Sequence, residues 1–278
     1  MADPDQALGQ WPHAPLAIVL AQIRFDPEVG TEYPEAADRI KSAMGDLFQG
    51  MKTVRQVSFL MGSPDPEAGP QRNEFQVGLE LRSDDDRRSL RIQDGVATYT
   101  TSLYKDSTEF LKEWRAMLDL LCPPGGLKVQ RLGLRYVDFI IPSTGNTPED
   151  YFDDGFARSP EKLGEQAPAV FHRFDYAKPS DGLMRIQYGR GLAFPDLPPD
   201  LEGSVVPPPA LIQKYKEGPS AVLDIDHWRT FSSRMKVEEL ATEFQRLRND
   251  ISSAFKSIIT KSAEVEWSAK PVLGDEDA

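Results

Sequence analysis

The run Arg131-Leu-Gly-Leu-Arg-Tyr-Val-Asp-Phe-Ile-Ile141 constrains the fold of this chain more than any other stretch. It reads as one long strand, yet Arg135 and Asp138 interrupt its apolar pattern. A charge in the middle of a strand needs a partner, a ligand or water. A shorter echo, Ala221-Val-Leu-Asp-Ile-Asp-His-Trp228, places Asp224 and Asp226 in the same predicament. Side chains alternate across a strand, so each charge can be given a face. Arg135 shares one with Gly133, Val137 and Phe139, whereas Asp138 lies with Leu134, Tyr136 and Ile140. Asp224 and Asp226 lie with Val222 and Trp228; Leu223, Ile225 and His227 point the other way.

The remaining elements follow from hydrophobic periodicity and breakers. Residues 1–13 read as a loose arm, and Leu16 to Phe25 as a strand. A helix is expected from Tyr33, with Ala37, Ile40, Met44, Leu47 and Phe48 on one face. Short strands follow at Val54–Met61, Asn73–Leu81, Ser89–Ile92 and Val96–Leu103, the last two joined by Asp94-Gly95. Phe110, Trp114, Met117, Leu118 and Leu121 mark a helix that Ser107 caps and Pro123-Pro-Gly-Gly126 ends. Beyond the long strand, residues 142–166 are polar, with one short helix expected near Glu149–Phe156. Ala169–Tyr176 and Leu183–Tyr188 form a hairpin, in which Arg173 and Asp175 share a face and Arg185 goes with Gln187. Six prolines between 195 and 209 predict a stiff surface connector rather than a packed element. Ser220–Trp228 is a strand, Val237 to about Ile259 the longest helix, Val265 to Trp267 a last short strand, and 269–278 an acidic tail. Hairpins alternating with single amphipathic helices predict an α+β fold, a mainly antiparallel sheet with its helices on one face. One composite domain over 14–268 is expected, with two similar halves, 14–141 and 167–268, as the alternative.

The balance of 44 acidic against 32 basic residues, a net charge of −12, argues against nucleic acid and against anionic membranes as partners. Cys122 is the single cysteine, which removes intrachain disulfides and cysteine-based zinc sites. The opening Met1-Ala-Asp-Pro-Asp has no basic segment followed by an apolar one, and no apolar run approaches the roughly 18 residues of a membrane helix. A cytoplasmic protein is the expectation.

One resemblance can be named. Pro15-Leu16 and Arg24-Phe25 open the pattern, and Tyr104, Phe110 and Trp114 follow. Then come Leu132-Gly-Leu-Arg-Tyr-Val137, Leu223-Asp-Ile-Asp226 and a closing helix containing Phe255. In that order and over roughly residues 14–268, they resemble an uncharacterised, sporadically distributed bacterial protein family, with Gly133-Leu-Arg-Tyr136 as the most specific part. The resemblance implies a bacterial, laterally mobile cytoplasmic protein and carries over no catalytic residue.

Arg135, Asp138, Arg185, Asp224 and Asp226 are the candidate ligand-binding residues. The arginines offer planar, forked donors to an anion, and the aspartates can orient them or hold a cation. Against that stands a purely structural alternative, cross-strand ion pairs that satisfy one another. His13, His172 and His227 are too scattered for a zinc site, so no metal and no cofactor are expected. Gly189-Arg-Gly191 lacks the remainder of a dinucleotide fingerprint, and the Gly-x-Ser-x-Gly elbow is missing. The expectation is therefore a non-enzymatic module of an accessory or stress-related locus that binds another protein. Its competitor is a small-molecule protein or enzyme that takes an anion in an Arg/Asp pocket. What separates the two is whether Arg135, Arg185, Asp224 and Asp226 converge on one concave, solvent-connected pocket.

Overall fold

A computed structural model describes residues 11, 13–27, 33–60, 71–93, 95–153, 155–158, 169–178, 182–191, 197–201 and 203–268. The acidic tail expected at 269–278 lies outside them, as does the arm at 1–13 except for Trp11 and His13. Those two are held: Trp11 packs on Phe255 and Trp267, and the His13 amide donates to the Trp267 carbonyl.

Along the chain the elements are β1 (Leu16–Phe25), α1 (Tyr33–Ala43), β2 (Gly50–Leu60), β3 (Gln71–Arg82), β4 (Arg88–Gln93) and β5 (Val96–Thr101). Next come α2 (Ser107–Leu121), β6 (Leu127–Ile140), β7 (Ala169–Lys178), β8 (Gly182–Gly191), α3 (Pro209–Glu217), β9 (Ala221–Met235), α4 (Val237–Ile258) and α5 (Lys261–Ser268). The fold is α+β. All nine strands join one antiparallel sheet in the order β2-β3-β4-β5-β1-β6-β9-β8-β7. Residues 142–166 do not divide it, because β6 lies before that segment, β9 after it, and the two pair along almost their whole lengths.

One face of the sheet carries the main core. Val19, Ala21, Ile23 and Phe25 of β1 lie there with Leu132 and Leu134 of β6, Leu223 and Ile225 of β9, and Ile186 and Tyr188 of β8. Helices α1, α2, α4 and α5 cover this face with their apolar stripes, α4 over β6 and β9 and α1 over β3 and β4. Trp114 of α2 stacks on Tyr99 of β5 and meets Phe244 of α4 edge-on, which ties two helices to the sheet through rings that stack or meet at right angles. The α2 cap is Asp106 rather than Ser107; its side chain accepts from the Glu109 amide at 2.8 Å.

The opposite face has a different cover, and here the sequence expectation is corrected. The proline-rich stretch is a packed strap, formed by 197–201 and 203–217 and ending in α3. Leu201 and Val205 bury themselves against Ala17, Ile18, Val137, Phe139 and Val222, and the Tyr215 ring packs at a tilt on Phe139, 4.6 Å between ring centres. Polar contacts pin it further: Arg82 donates to the Gly203 carbonyl, the Ser102 hydroxyl to the Val206 carbonyl at 2.8 Å, and the Val206 amide to Asp86. Helices therefore lie on both faces. The stiffness of the prolines does not oppose packing, because an extended chain can lay its apolar side chains along a sheet. Two smaller expectations also change. Val265–Trp267 belongs to α5, where Trp267 stacks on Tyr151 and Phe255, and the helix near Glu149 is one 3₁₀ turn, Pro148–Tyr151. Among the described residues no helix is long and apolar enough to cross a membrane.

The strap's packing is testable. Leu201→Ala is expected to destabilise the protein by about 2–3 kcal/mol in a denaturant titration, as a buried leucine does. A surface connector would leave stability within about 0.5 kcal/mol.

Candidate functional site

β6 changes character along the strap face. Phe139 and Val137 lie beneath the strap; Arg135, Gly133 and Arg131 lie beyond its edge. Strand pairing sets their neighbours: Arg135 is opposite Asp226 of β9, Asp226 is opposite Arg185 of β8, and Gly133 is opposite Trp228. β1 contributes Leu20 and Gln22 on the other side. The result is a concave cleft of about 390 Å³ spanning four strands, lined by Leu20, Gln22, Arg131, Gly133, Arg135, Arg185, Gln187, Asp226 and Asp200 from the strap. Gly133 forms the floor by having no side chain, and its position leaves the ring of Trp228 accessible to two guanidinium groups. Arg131 lies over that ring at 4.8 Å and Arg185 at 5.4 Å.

Arg135 occupies the boundary between the dry and wet halves of the face. Its Nε donates to Asp224 Oδ1 at 2.8 Å and its Nη2 to Asp224 Oδ2 at 2.7 Å, a forked pair along one edge of the guanidinium. The side chains of Arg135 and Asp224 are only 12% and 3% exposed. Asp200 meets the other edge, at 2.5 Å from Nη1 and 3.4 Å from Nη2. Burial works against the Arg135 charge, but the two carboxylates outweigh it and hold the guanidinium protonated, with its pKa raised. Asp226 has no such fork. Its nearest cation in an ion pair is Arg131 at 3.8 Å, and burial pushes its carboxyl up to about 6 against the pull of Arg135 and Arg131.

Arg131 and Arg185 have donors to spare. The Arg131 Nε is buried with no hydrogen-bond partner among the described residues. The Arg185 Nε donates to Asp175 Oδ1 at 2.8 Å, which leaves its two terminal nitrogens. Gln22 donates to the Thr98 hydroxyl at 3.1 Å, so its amide oxygen is left as an acceptor. A cleft built this way can hold a small polar anion. Among the described residues that line it there is no nucleophile–base pair.

Of the five candidates named from sequence, the fold brings Arg135, Arg185 and Asp226 into the cleft and buries Asp224 behind Arg135 at its edge. Asp138 is not part of the site. Strand alternation turns it to the helix face, where it is 4% exposed. Burial pushes its carboxyl up to about 8, and the Asp224 charge adds to the rise. The histidines do not meet, because β8 separates β7 from β9. His172 pairs its Nδ1 with the Phe156 carbonyl at 2.7 Å, and His227 has Asp250 3.7 Å away. Sequence reasoning missed Arg131, Gln22, Gln187 and Asp200 as cleft residues, and the Trp228 ring beneath two of the arginines. For Arg131 the signal was available: it alternates with Gly133 and Arg135 on one face. Asp200 carried none, since only the path of the strap brings it near.

Compared with family models, curated proteins and solved structures, the chain has no match among any of them.

Two predictions follow from the charges. Arg135→Ala leaves Asp224 buried and unpaired and is expected to cost about 3–5 kcal/mol, whereas Arg135→Met with Asp224→Leu recovers most of that loss. Equal losses in the single and double variants by thermal melting would contradict the pairing. Asp138 gives a pH signature. Its carboxyl is raised on folding, so the folded state holds the proton more tightly and stability falls as pH rises from about 4 to about 8. The limiting slope is about 1.4 kcal/mol per pH unit. Asp138→Asn removes this term, so its melting temperature gains on the wild type steadily across that window; a constant difference would show that Asp138 is ionised throughout.

Proposed function

We propose that this protein binds a small anionic ligand in the cleft between β1, β6, β9 and β8. Arg131 carries the reading: it lines the cleft with its guanidinium over the Trp228 ring, and its buried Nε has no hydrogen-bond partner among the described residues. Buried polar groups are hydrogen-bonded in native proteins, so an arginine that lines a cleft with an unsatisfied donor favours an acceptor brought by a ligand. Arg185 supports it from the opposite strand over the same ring. The volume falls within the range of small-molecule sites, and the polar lining favours a charged ligand over an apolar one. The local charge is balanced, three arginines against Asp200, Asp224 and Asp226, so recognition rests on forked donors rather than on net field. Protonating Asp226 near pH 6 removes one negative charge and favours anion binding on the acid side.

The resemblance carried by Gly133-Leu-Arg-Tyr136 is consistent with this reading, since two of its four residues line the cleft. A bacterial, cytoplasmic setting stays part of the proposal. As a second reading we keep docking of a protein partner. It is favoured by β7, an edge strand whose Phe171 and Tyr176 are half exposed and which could accept an added strand.

The test is a thermal-shift panel of small anions (succinate, citrate, phosphate, sulfate) at fixed ionic strength. The proposal expects stabilisation by at least one of them that Arg185→Gln weakens and Gly133→Leu abolishes. A leucine is compatible with the backbone there, because a Cβ on Gly133 would meet the Trp228 Cβ at an ordinary 3.7 Å. Equal shifts in all three proteins place any binding elsewhere and leave the β7 edge as the surviving reading.

A further inference from the structure

We infer that the ligand presents a carboxylate, and that this group takes the place of Asp200 on the outer edge of Arg135. The inference rests on the cleft reading above and specifies it. A guanidinium has two edges that can grip a planar carboxylate in forked geometry. Asp224 locks one of them from within the sheet, through Nε and Nη2. The other edge, Nη1 with Nη2, faces the strap side of the cleft and is filled by both oxygens of Asp200.

Three observations mark Asp200 as a tenant of that edge rather than a structural partner. Its side chain is 64% exposed, so the contact is screened by water and costs little to break. The strap does not depend on it, since Leu201 and Val205 are buried and Gly203 and Val206 are held by Arg82 and Ser102. Finally, Asp200 is itself a lining residue of the cleft that holds Arg131 and Arg185, so a ligand seated on those arginines lies next to the occupied edge. Asp200 thus shows which chemistry the outer edge of Arg135 accepts, a planar carboxylate gripped by two nitrogens. It also competes for that edge from within the chain. A carboxylate ligand must displace it, and the wild-type affinity is lowered by that competition. Arg135 stays charged during the exchange because Asp224 remains in place.

The experiment is isothermal titration of the full chain with succinate, and separately with inorganic phosphate, on the wild type, Asp200→Asn, Asp200→Ala and Arg185→Gln. Removing the competing carboxylate is expected to tighten succinate binding about 1.5- to 5-fold in both Asp200 variants, the range set by releasing one partly exposed ion pair. Arg185→Gln is expected to weaken it. If succinate binds the wild type and loses affinity in Arg185→Gln but is unchanged or weaker in both Asp200 variants, the exchange at Arg135 is wrong while the cleft reading stands. Phosphate binding that depends on Arg185, with no succinate binding by any protein, also overturns the carboxylate assignment alone. If no protein binds either probe, both the inference and the cleft reading fall.

Discussion

Arg135 brings a full positive charge into the centre of a nine-stranded sheet, on a strand whose neighbouring side chains on the same face, Val137 and Phe139, are buried. Only a partner delivered by the adjacent strand makes that tolerable, and Asp224 on β9 supplies it with both oxygens. The pairing has consequences for the rest of the fold. It requires β6 and β9 to lie side by side although residues 142–166 and the β7–β8 hairpin separate them in sequence. A slip of one residue between the two strands would turn Asp224 to the helix face and leave two stranded charges, so the ion pair selects the register that the hydrophobic pattern also prefers.

The same pair divides the strap face in two. On one side of it the strands present Ala17, Ile18, Val137, Phe139 and Val222, and the strap closes over them. On the other they present Gln22, Arg131, Arg185, Gln187 and Asp226, and the face stays open to water. The helix face has no such division, being apolar from β4 to β8 beneath α1, α2 and α4. Asp138 and His227 are buried polar residues there; burial and the Asp224 charge raise the Asp138 carboxyl and favour its neutral form. Arg135 and Asp138, three residues apart, thus resolve the cost of burial in opposite ways, one by pairing and one by neutralisation.

The sheet, its antiparallel character and three of the four helices of the main core, α1, α2 and α4, were legible in the sequence, because alternation and 3.6-residue periodicity depend on which face a residue meets; α5 was read as a strand, since one turn of Val265 and Trp267 is too short to show a period. The face of each candidate charge was legible for the same reason. Asp224 could be named as one of two partners for Arg135 because both carboxylates share a face with Trp228 on a strand of matching pattern. Choosing between Asp224 and Asp226 was beyond sequence, since the choice depends on pairing register and on the reach of a guanidinium. The strap was misread because proline content reports backbone stiffness and is silent on what Leu201 and Val205 lie against. Asp200 entered the cleft through the path of the strap, which leaves no periodic trace.

Asp224 locks the inner edge of Arg135, and the sheet around it is built on that lock. Hydrogen exchange at arginine Nε, followed by nitrogen-15 NMR, reads it directly. Arg173 is the internal comparator, since its Nε donates to Asp175 from a side chain that is nearly half exposed. A locked Arg135 gives a resolved Nε–H signal that persists at neutral pH and in about 1 M salt, where the screening length is roughly 3 Å and exposed pairs lose their hold. Under the same conditions the Arg173 signal should exchange away. An Arg135 Nε–H that exchanges as fast as that of Arg173 would show that Asp224 does not lock the guanidinium.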